Sequence, residues 1–108
     1  MRRVVEAGGY RVAGDTGSAL VADGRGRSFY IWATENAAAV NKTTWQVLAR
    51  VGGVTVYGDE DLWRWWIAGD FVFWVQAGPG GDAIVPRPTE LASVIDASRR
   101  VTPPTSRR

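Results

Sequence analysis

The chain has 108 residues, which is the length of one domain and enough to bury a single hydrophobic core. It contains neither cysteine nor histidine, which excludes disulfides and thiolate metal sites and removes the commonest general base and metal ligand. Its formal net charge is +2, from 13 basic and 11 acidic residues. We therefore expect one domain over residues 1–101 with a disordered tail over 102–108, no metal or cofactor, and no catalytic activity.

The first third of the chain predicts one hairpin that follows an irregular arm. Residues 1–9 are expected to form a frayed arm or a short edge strand, and residues 14–17, Gly-Asp-Thr-Gly, indicate a turn. Residues 18–34 are typical of two strands, and Asp23-Gly24 is the strong hairpin-loop signal between them. Neither face of the outgoing strand is plainly polar. One face carries Phe29, Ile31 and Ala33, and the other carries Tyr30, Trp32 and Thr34.

Residues 43–51, TTWQVLARV, fit two structures. Thr43 or Thr44 is a suitable N-cap for a short helix that Gly52-Gly53 would end, and we favour this helix slightly. The alternation of Trp45, Val47 and Ala49 fits a strand about as well. Residues 54–57 predict a short strand, and residues 58–61, Gly-Asp-Glu-Asp, predict a solvated turn.

Residues 62–76 hold four of the six tryptophans and two of the three phenylalanines, and they predict an aromatic hairpin. Gly69-Asp70 suits a two-residue type II′ turn, which places Trp65 opposite Trp74. Side chains then alternate between two faces, and both faces are apolar. One face carries Trp63, Trp65, Ile67, Val72 and Trp74, and the other carries Leu62, Trp66, Ala68, Phe71, Phe73 and Val75 together with Arg64. Each face needs a covering layer, from this chain or from a partner.

Residues 88–101 predict a helix that begins near Pro88 and ends before Pro103-Pro104. Its apolar stripe consists of Leu91, Val94, Ile95 and Ser98. The predicted fold class is α+β, an antiparallel β-sheet of about five strands with a C-terminal helix packed on one face.

A family resemblance is carried by VTVYGDEDLWRWWIAGDFVFWVQAG, residues 54–78, and PTELASVIDAS, residues 88–98. Together they resemble a poorly characterised bacterial domain that is found in extracytoplasmic parts of anti-sigma factors and in lipoproteins. The resemblance covers roughly residues 50–100. It implies a sensing or protein-binding role and no catalytic residues.

Four functions follow from these patterns, and we favour the first. A noncatalytic protein-binding or sensor module would present an aromatic sheet face, with Trp63, Trp65 and Trp74 as site residues and Arg64 or Arg50 as charged neighbours. A small homo-oligomer, such as a homodimer, would use the same face against a second copy. Nucleic-acid binding is disfavoured because residues 54–86 combine the aromatic residues with five acids and one arginine. An enzyme would require a catalytic arrangement of carboxylates, Ser, Thr or Tyr without histidine or cysteine, and we do not find such an arrangement.

The cellular location is predicted from the lengths of the apolar segments in the sequence. No stretch of 18 apolar residues predicts a transmembrane segment, and the N-terminus lacks the apolar core of a signal peptide. The expectation is a cytoplasmic protein as the chain stands, or an extracytoplasmic one if it is a fragment of a longer membrane-anchored protein.

Overall fold

Seven strands form one antiparallel sheet in a computed structural model that describes residues 1–35, 46–59, 61–79 and 84–101. The strands are β1 (Arg11–Asp15), β2 (Leu20–Gly24), β3 (Arg27–Glu35), β4 (Gln46–Val51), β5 (Val54–Gly58), β6 (Trp63–Ala68) and β7 (Phe71–Ala77). Their order in the sheet is β1-β2-β3-β7-β6-β5-β4. The described helices are α1 (Arg2–Ala7), a 3₁₀ helix (Pro88–Leu91) and α2 (Ala92–Arg100). The α+β class with a C-terminal helix is confirmed, whereas the expected strand number of about five is wrong.

The central hairpin forms as predicted. β6 and β7 pair Ala68 with Phe71 and Trp65 with Trp74, which is the register set by a two-residue turn. Gly69 has φ +61 while Asp70 has no positive φ, as a type II′ turn requires. Leu62 lies outside the paired strand and is exposed, so it does not join the buried face assigned to it.

The helices cover one face of this sheet and form the core with it. The side chains that β3, β5, β6 and β7 direct to this face include Phe29, Ile31, Val56, Trp66, Phe73 and Val75. The helices contribute Val4, Val5, Leu91, Val94 and Ile95. All eleven are buried, which confirms the predicted apolar stripe of the C-terminal helix.

The N-terminal arm is a helix, which corrects the expectation of a frayed arm or edge strand. Val4 and Val5 of α1 are fully buried. A Cβ atom at Gly8 would lie 2.7 Å from Val94 Cγ2, so the absence of a side chain there allows α1 to approach α2 closely. Six residues are too few to hold a helix in water, and tertiary packing therefore stabilises this one.

Residues 46–51 are the edge strand β4, and the helix favoured for 43–51 is wrong over these residues; residues 43–45 lie outside the described ranges. The glycine pair Gly52-Gly53, with φ +57 and +83, makes the β4–β5 hairpin turn instead of ending a helix. A bulge between Val47 and Ala49 interrupts the pairing with β5 and blurs the alternation of the strand.

The β2–β3 hairpin is also confirmed, and its two-residue turn lies in the second half of the predicted DGRG turn, residues 23–26. Asp23 and Gly24 are paired with β3, and the turn residues are Arg25 and Gly26, with φ +55 and +74. Arg25 donates to the Gly8 carbonyl at 3.3 Å and its guanidinium lies 4.9 Å from the centre of the Tyr10 ring. These contacts compensate a non-glycine residue for its left-handed backbone.

Candidate functional site

The sheet face that points away from α1 and α2 carries a row of aromatic side chains across four neighbouring strands. Trp32 of β3 lies opposite Trp74 of β7, Trp74 lies opposite Trp65 of β6, and Trp65 lies opposite Tyr57 of β5. Residues in register on one face of a sheet have side chains in contact. We call these four residues the aromatic row, and the side of the sheet that carries them the aromatic face.

Ring contacts hold the aromatic row together. The Trp32 and Trp74 rings are nearly parallel at 9°, with centroids 6.3 Å apart. Trp65 lies 5.7 Å from Trp74 and stacks on Tyr57 at 4.4 Å. Trp63 stands edge-on to Trp32 and to Trp74, at 5.9 and 6.4 Å. Offset-stacked and edge-to-face pairs are the favoured arrangements of aromatic rings, so the row is a preorganised surface.

The surface of this cluster comes from three of its tryptophans. Trp65 is fully buried between Tyr57 and Trp74, whereas Trp32, Trp63 and Trp74 are half-buried. The Trp74 indole N–H donates to Thr34 Oγ1 at 3.1 Å. Among the described residues, neither α-helix packs on this face, where Trp32 and Trp63 keep part of their surface exposed.

A groove of about 350 Å³ lies at the β3 end of the aromatic row. Its lining consists of Thr16, Ser18, Ala19, Tyr30, Trp32 and Gln76. Thr16 Oγ1 donates to the Ala19 carbonyl at 3.2 Å and accepts from the Ala19 N–H at 3.1 Å, which fixes the β1–β2 turn at the rim. Its described residues supply rings, hydroxyls and one amide and no charged side chain, so this lining suits an uncharged group.

Asp59 fixes the turn that delivers Trp63 to this cluster. Its Oδ1 accepts from the backbone N–H groups of Leu62 at 2.6 Å and of Asp61 and Trp63 at 3.1 Å. These bonds, that of Leu62 first, hold the pKa of Asp59 below its ordinary value, with a smaller contribution from the Arg64 charge and against a partial desolvation. Asp59 therefore caps the backbone of this turn, and its carboxylate is bonded to the backbone amides that follow it.

Glu90 has a similar structural role at the start of the 3₁₀ helix. Its carboxylate accepts from the Arg87 backbone N–H at 2.8 Å and from Arg27 Nε at 3.0 Å. The hydrogen bond from the Arg87 backbone, followed by the Arg27 side chain, holds the pKa of Glu90 below its ordinary value despite partial desolvation. Glu90 thereby joins β3 to the C-terminal helical segment.

These two carboxylates predict how stability depends on pH. Their pKa values are lower in the folded than in the unfolded protein, so their stabilisation is complete only above the unfolded values, that is above about pH 5, and is lost as the pH falls through the folded values. We expect the double variant Asp59→Asn, Glu90→Gln to lose stability at neutral pH and to show a shallower decline below about pH 5 than the parent protein. Urea unfolding across the acid range measures both effects. Asp70→Asn, at the exposed β6–β7 turn, is the control, and an unchanged acid decline in the double variant would contradict the prediction.

The structure brings together three of the four residues that the sequence indicated. Trp63, Trp65 and Trp74 share the aromatic face, although Trp65 offers no surface. Arg64 lies on the opposite face, where it is 4% exposed and donates to the Pro86 carbonyl at 3.1 Å. Arg50 lies on β4 and bonds to Thr55 Oγ1 and the Gly53 carbonyl at 3.2 and 3.1 Å. Neither arginine is a neighbour of the tryptophan cluster in the way we expected.

Sequence reasoning missed the part of the site that β3 and β5 contribute. Trp32 and Tyr30 were placed on one face of their strand, but their position beside β7 depends on the pairing of β3 with β7, two strands that are far apart in the sequence. Tyr57 was assigned to a short strand, but not to either face of the sheet. The alternation of side chains along each strand indicates which residues share a face. The order of the strands in the sheet, which decides which residues are neighbours, cannot be inferred from that alternation.

The chain matches no protein-family model, no curated protein sequence and no solved structure. The resemblance to the extracytoplasmic domain of anti-sigma factors and lipoproteins therefore stays a prediction. The helices of the described residues, six and nine residues long for α1 and α2, lack the length and apolar character needed to cross a membrane.

Proposed function

We propose that this protein is a noncatalytic binding module that docks a protein partner on its aromatic face. The observation that carries the proposal is the aromatic row, which spans four strands on the side of the sheet opposite α1 and α2. Tryptophan and tyrosine dominate the energetics of protein interfaces because they offer large rigid surfaces with few torsions to immobilise. Contacts within the row already fix the rings, so binding pays little ordering cost.

The groove beside Trp32 supplies the anchor point of this interface. A hot spot is commonly a recess near the centre of an interface that a partner side chain fills. The uncharged lining of the groove selects an apolar side chain, such as leucine or proline, whose burial leaves no charge unpaired. The Gln76 amide and the Ser18 hydroxyl at the rim supply hydrogen bonds for the backbone of the same segment.

A displayed library of random peptides, selected on the immobilised protein, tests this proposal. Enriched peptides are expected to share an uncharged apolar anchor, and Trp32→Ala is expected to weaken their binding about tenfold or more. Trp63→Ala should weaken it by a similar or smaller factor. Trp66→Phe, on the opposite face of the same sheet, is the matched control and should bind as the parent does. The near-UV circular dichroism of each variant checks that it is folded.

Two results would overturn the proposal. Peptides that bind Trp32→Ala and the parent equally well would show that the aromatic face is not the docking surface. Sedimentation of the parent as a dimer that Trp63→Ala converts to a monomer would show that a second copy occupies the face, which is the homo-oligomer alternative.

A further inference from the structure

The sheet opens between β5 and β6. Over the described chain these strands pair at Tyr57 with Trp65 and at Gly58 with Arg64, and the ladder stops there although β6 continues to Ala68. The same register would set Thr55 opposite Ile67, a pair that the ladder does not include. The opening holds a cavity of about 350 Å³. Its lining consists of Gly53, Val54, Thr55, Tyr57, Ile67 and Arg99.

Arg99 lines this cleft, and Arg50 is held at the adjacent β4–β5 turn, where it contacts the lining residues Gly53 and Thr55. Arg99, from the last turn of α2, donates to the Gly52 carbonyl at 2.9 Å. Arg50, from β4, donates to the next carbonyl along the chain, that of Gly53, at 3.1 Å, and to Thr55 Oγ1 at 3.2 Å. Both guanidinium groups are therefore held at the β4–β5 turn from two different elements of the fold. Each guanidinium has five N–H donors, so each keeps donors for a ligand.

Neither cation is neutralised within the part of the chain that the structure describes. Its ion pairs are Arg11–Asp23, Arg27–Glu90, Arg87–Glu90 and Arg100–Asp96. Arg50 and Arg99 belong to none of them, and both are exposed. Two guanidiniums held through neutral carbonyls keep their positive charge, which attracts an anion and is screened by salt.

We propose that the cleft between β5 and β6 binds a phosphate monoester carried on a flat apolar group, such as an aryl phosphate, with Arg99 and Arg50 as the groups that contact the phosphate. A phosphate monoester carries nearly two negative charges and three terminal oxygens, which matches two guanidiniums and a hydroxyl arriving from different directions. A carboxylate has one charge and two oxygens and fits one guanidinium. Tyr57 and Ile67 form the apolar wall for the rest of the ligand.

The cleft shares Tyr57 with the aromatic row, but the phosphate site does not use the groove beside Trp32. The groove beside Trp32 lies on β3, and the cleft lies on the far side of β7 and β6. The phosphate site is not visible in the charge pattern of the sequence, because the aromatic segment is acidic and Arg99 belongs to a separate basic segment. The fold brings Arg99 into the cleft that Tyr57 also lines.

Titration with phenyl phosphate, followed by NMR of backbone amides and arginine Nε–H groups, tests the proposal. We expect saturable shifts at Arg50, Thr55, Ile67 and Arg99 and an affinity that falls as salt is added. Arg99→Gln should weaken binding about tenfold or more, and Arg99→Lys should restore part of it, since lysine keeps the charge but lacks the fork. The matched control is Arg100→Gln, which removes the adjacent arginine, one that already pairs with Asp96. Trp32→Ala should bind phenyl phosphate as the parent does.

Three ligand comparisons complete the test. Phenol should not bind, inorganic phosphate should shift the same arginines with lower affinity, and benzoate should bind several-fold more weakly than phenyl phosphate. Equal weakening by Arg99→Gln and Arg100→Gln would overturn the site, because it would show attraction to a diffuse positive surface. Benzoate binding as tight as that of phenyl phosphate would overturn the choice of phosphate. Arg50→Gln provides a second variant if near-UV circular dichroism shows that Arg99→Gln is misfolded.

Discussion

Trp66→Ala is expected to remove about 3–5 kcal/mol from the free energy of unfolding, which is a large part of the stability of a domain of this size. Trp66 is fully buried beneath α2 and stacks on Phe73, with ring centroids 5.7 Å apart and planes at 6°. Its indole N–H donates to Ser98 Oγ at 2.9 Å, and Ser98 in turn donates to the Ile95 carbonyl. Truncation removes the indole that joins β6 to α2 and leaves a cavity. Urea unfolding measures this loss as a lower midpoint urea concentration, with the m-value unchanged.

Two milder variants separate packing from hydrogen bonding in this result. Trp66→Phe keeps the ring stack and loses the N–H donor, and Ser98→Ala keeps the ring but leaves that donor buried without its partner. Each is expected to cost about 1–3 kcal/mol, less than truncation. A loss below about 1 kcal/mol for Trp66→Ala would contradict the assignment of Trp66 to the core.

The central hairpin was predictable because everything that determines it is local. The turn type follows from Gly69-Asp70, and the register follows from the turn. Alternation then assigns each side chain to a face without knowledge of the rest of the fold. The C-terminal helix was predictable for the same reason, since its apolar stripe and its Pro88 start are read within one segment.

The edges of the domain were not predictable from local signals. A helix was favoured slightly over a strand for β4 because Thr43 or Thr44 is a suitable N-cap and because a glycine pair ends a helix as readily as it turns a hairpin. The two buried residues of α1 make no helical period on their own, and the helix is stable only where α2 receives it. Both elements take their structure from contacts with distant parts of the chain.

The same limit applies to the candidate sites. Three tryptophans of the central hairpin were assigned to one face because they lie on adjacent strands. The contributions of Trp32 and Tyr57 required the strand order β3-β7-β6-β5. The cleft at Arg99 required still more, because it lies where a ladder stops, and no residue pattern marks the end of a ladder.

Arg64→Met is expected to destabilise the protein by about 3 kcal/mol or more, because the variant keeps the length of the side chain and removes its donors. Arg64 lies buried at the start of β6. Its Nε donates to the Pro86 carbonyl at 3.1 Å, and its Nη1 donates to the carbonyls of Trp63, at 3.0 Å, and of Asp59. One guanidinium therefore joins the turn before β6 to the segment that leads into the C-terminal helices. Methionine would leave these carbonyls without their donor, and the Pro86 contact lies in a buried region where water does not replace it.

The variant Arg64→Lys distinguishes the effect of the planar guanidinium donors from the effect of the positive charge. Arg64→Lys keeps a cation but concentrates its donors on one nitrogen, which cannot reach carbonyls on both sides of the strand, so it should recover only part of the loss. Urea unfolding gives the free energies, and the near-UV circular dichroism of the tryptophans reports whether the Asp59 turn still positions Trp63. Replacing buried ionic groups by apolar ones stabilises some proteins. If Arg64→Met matched the parent in stability, the carbonyls of Asp59, Trp63 and Pro86 would have to find other donors, and Arg64 would not be the link between the aromatic hairpin and the C-terminal helix.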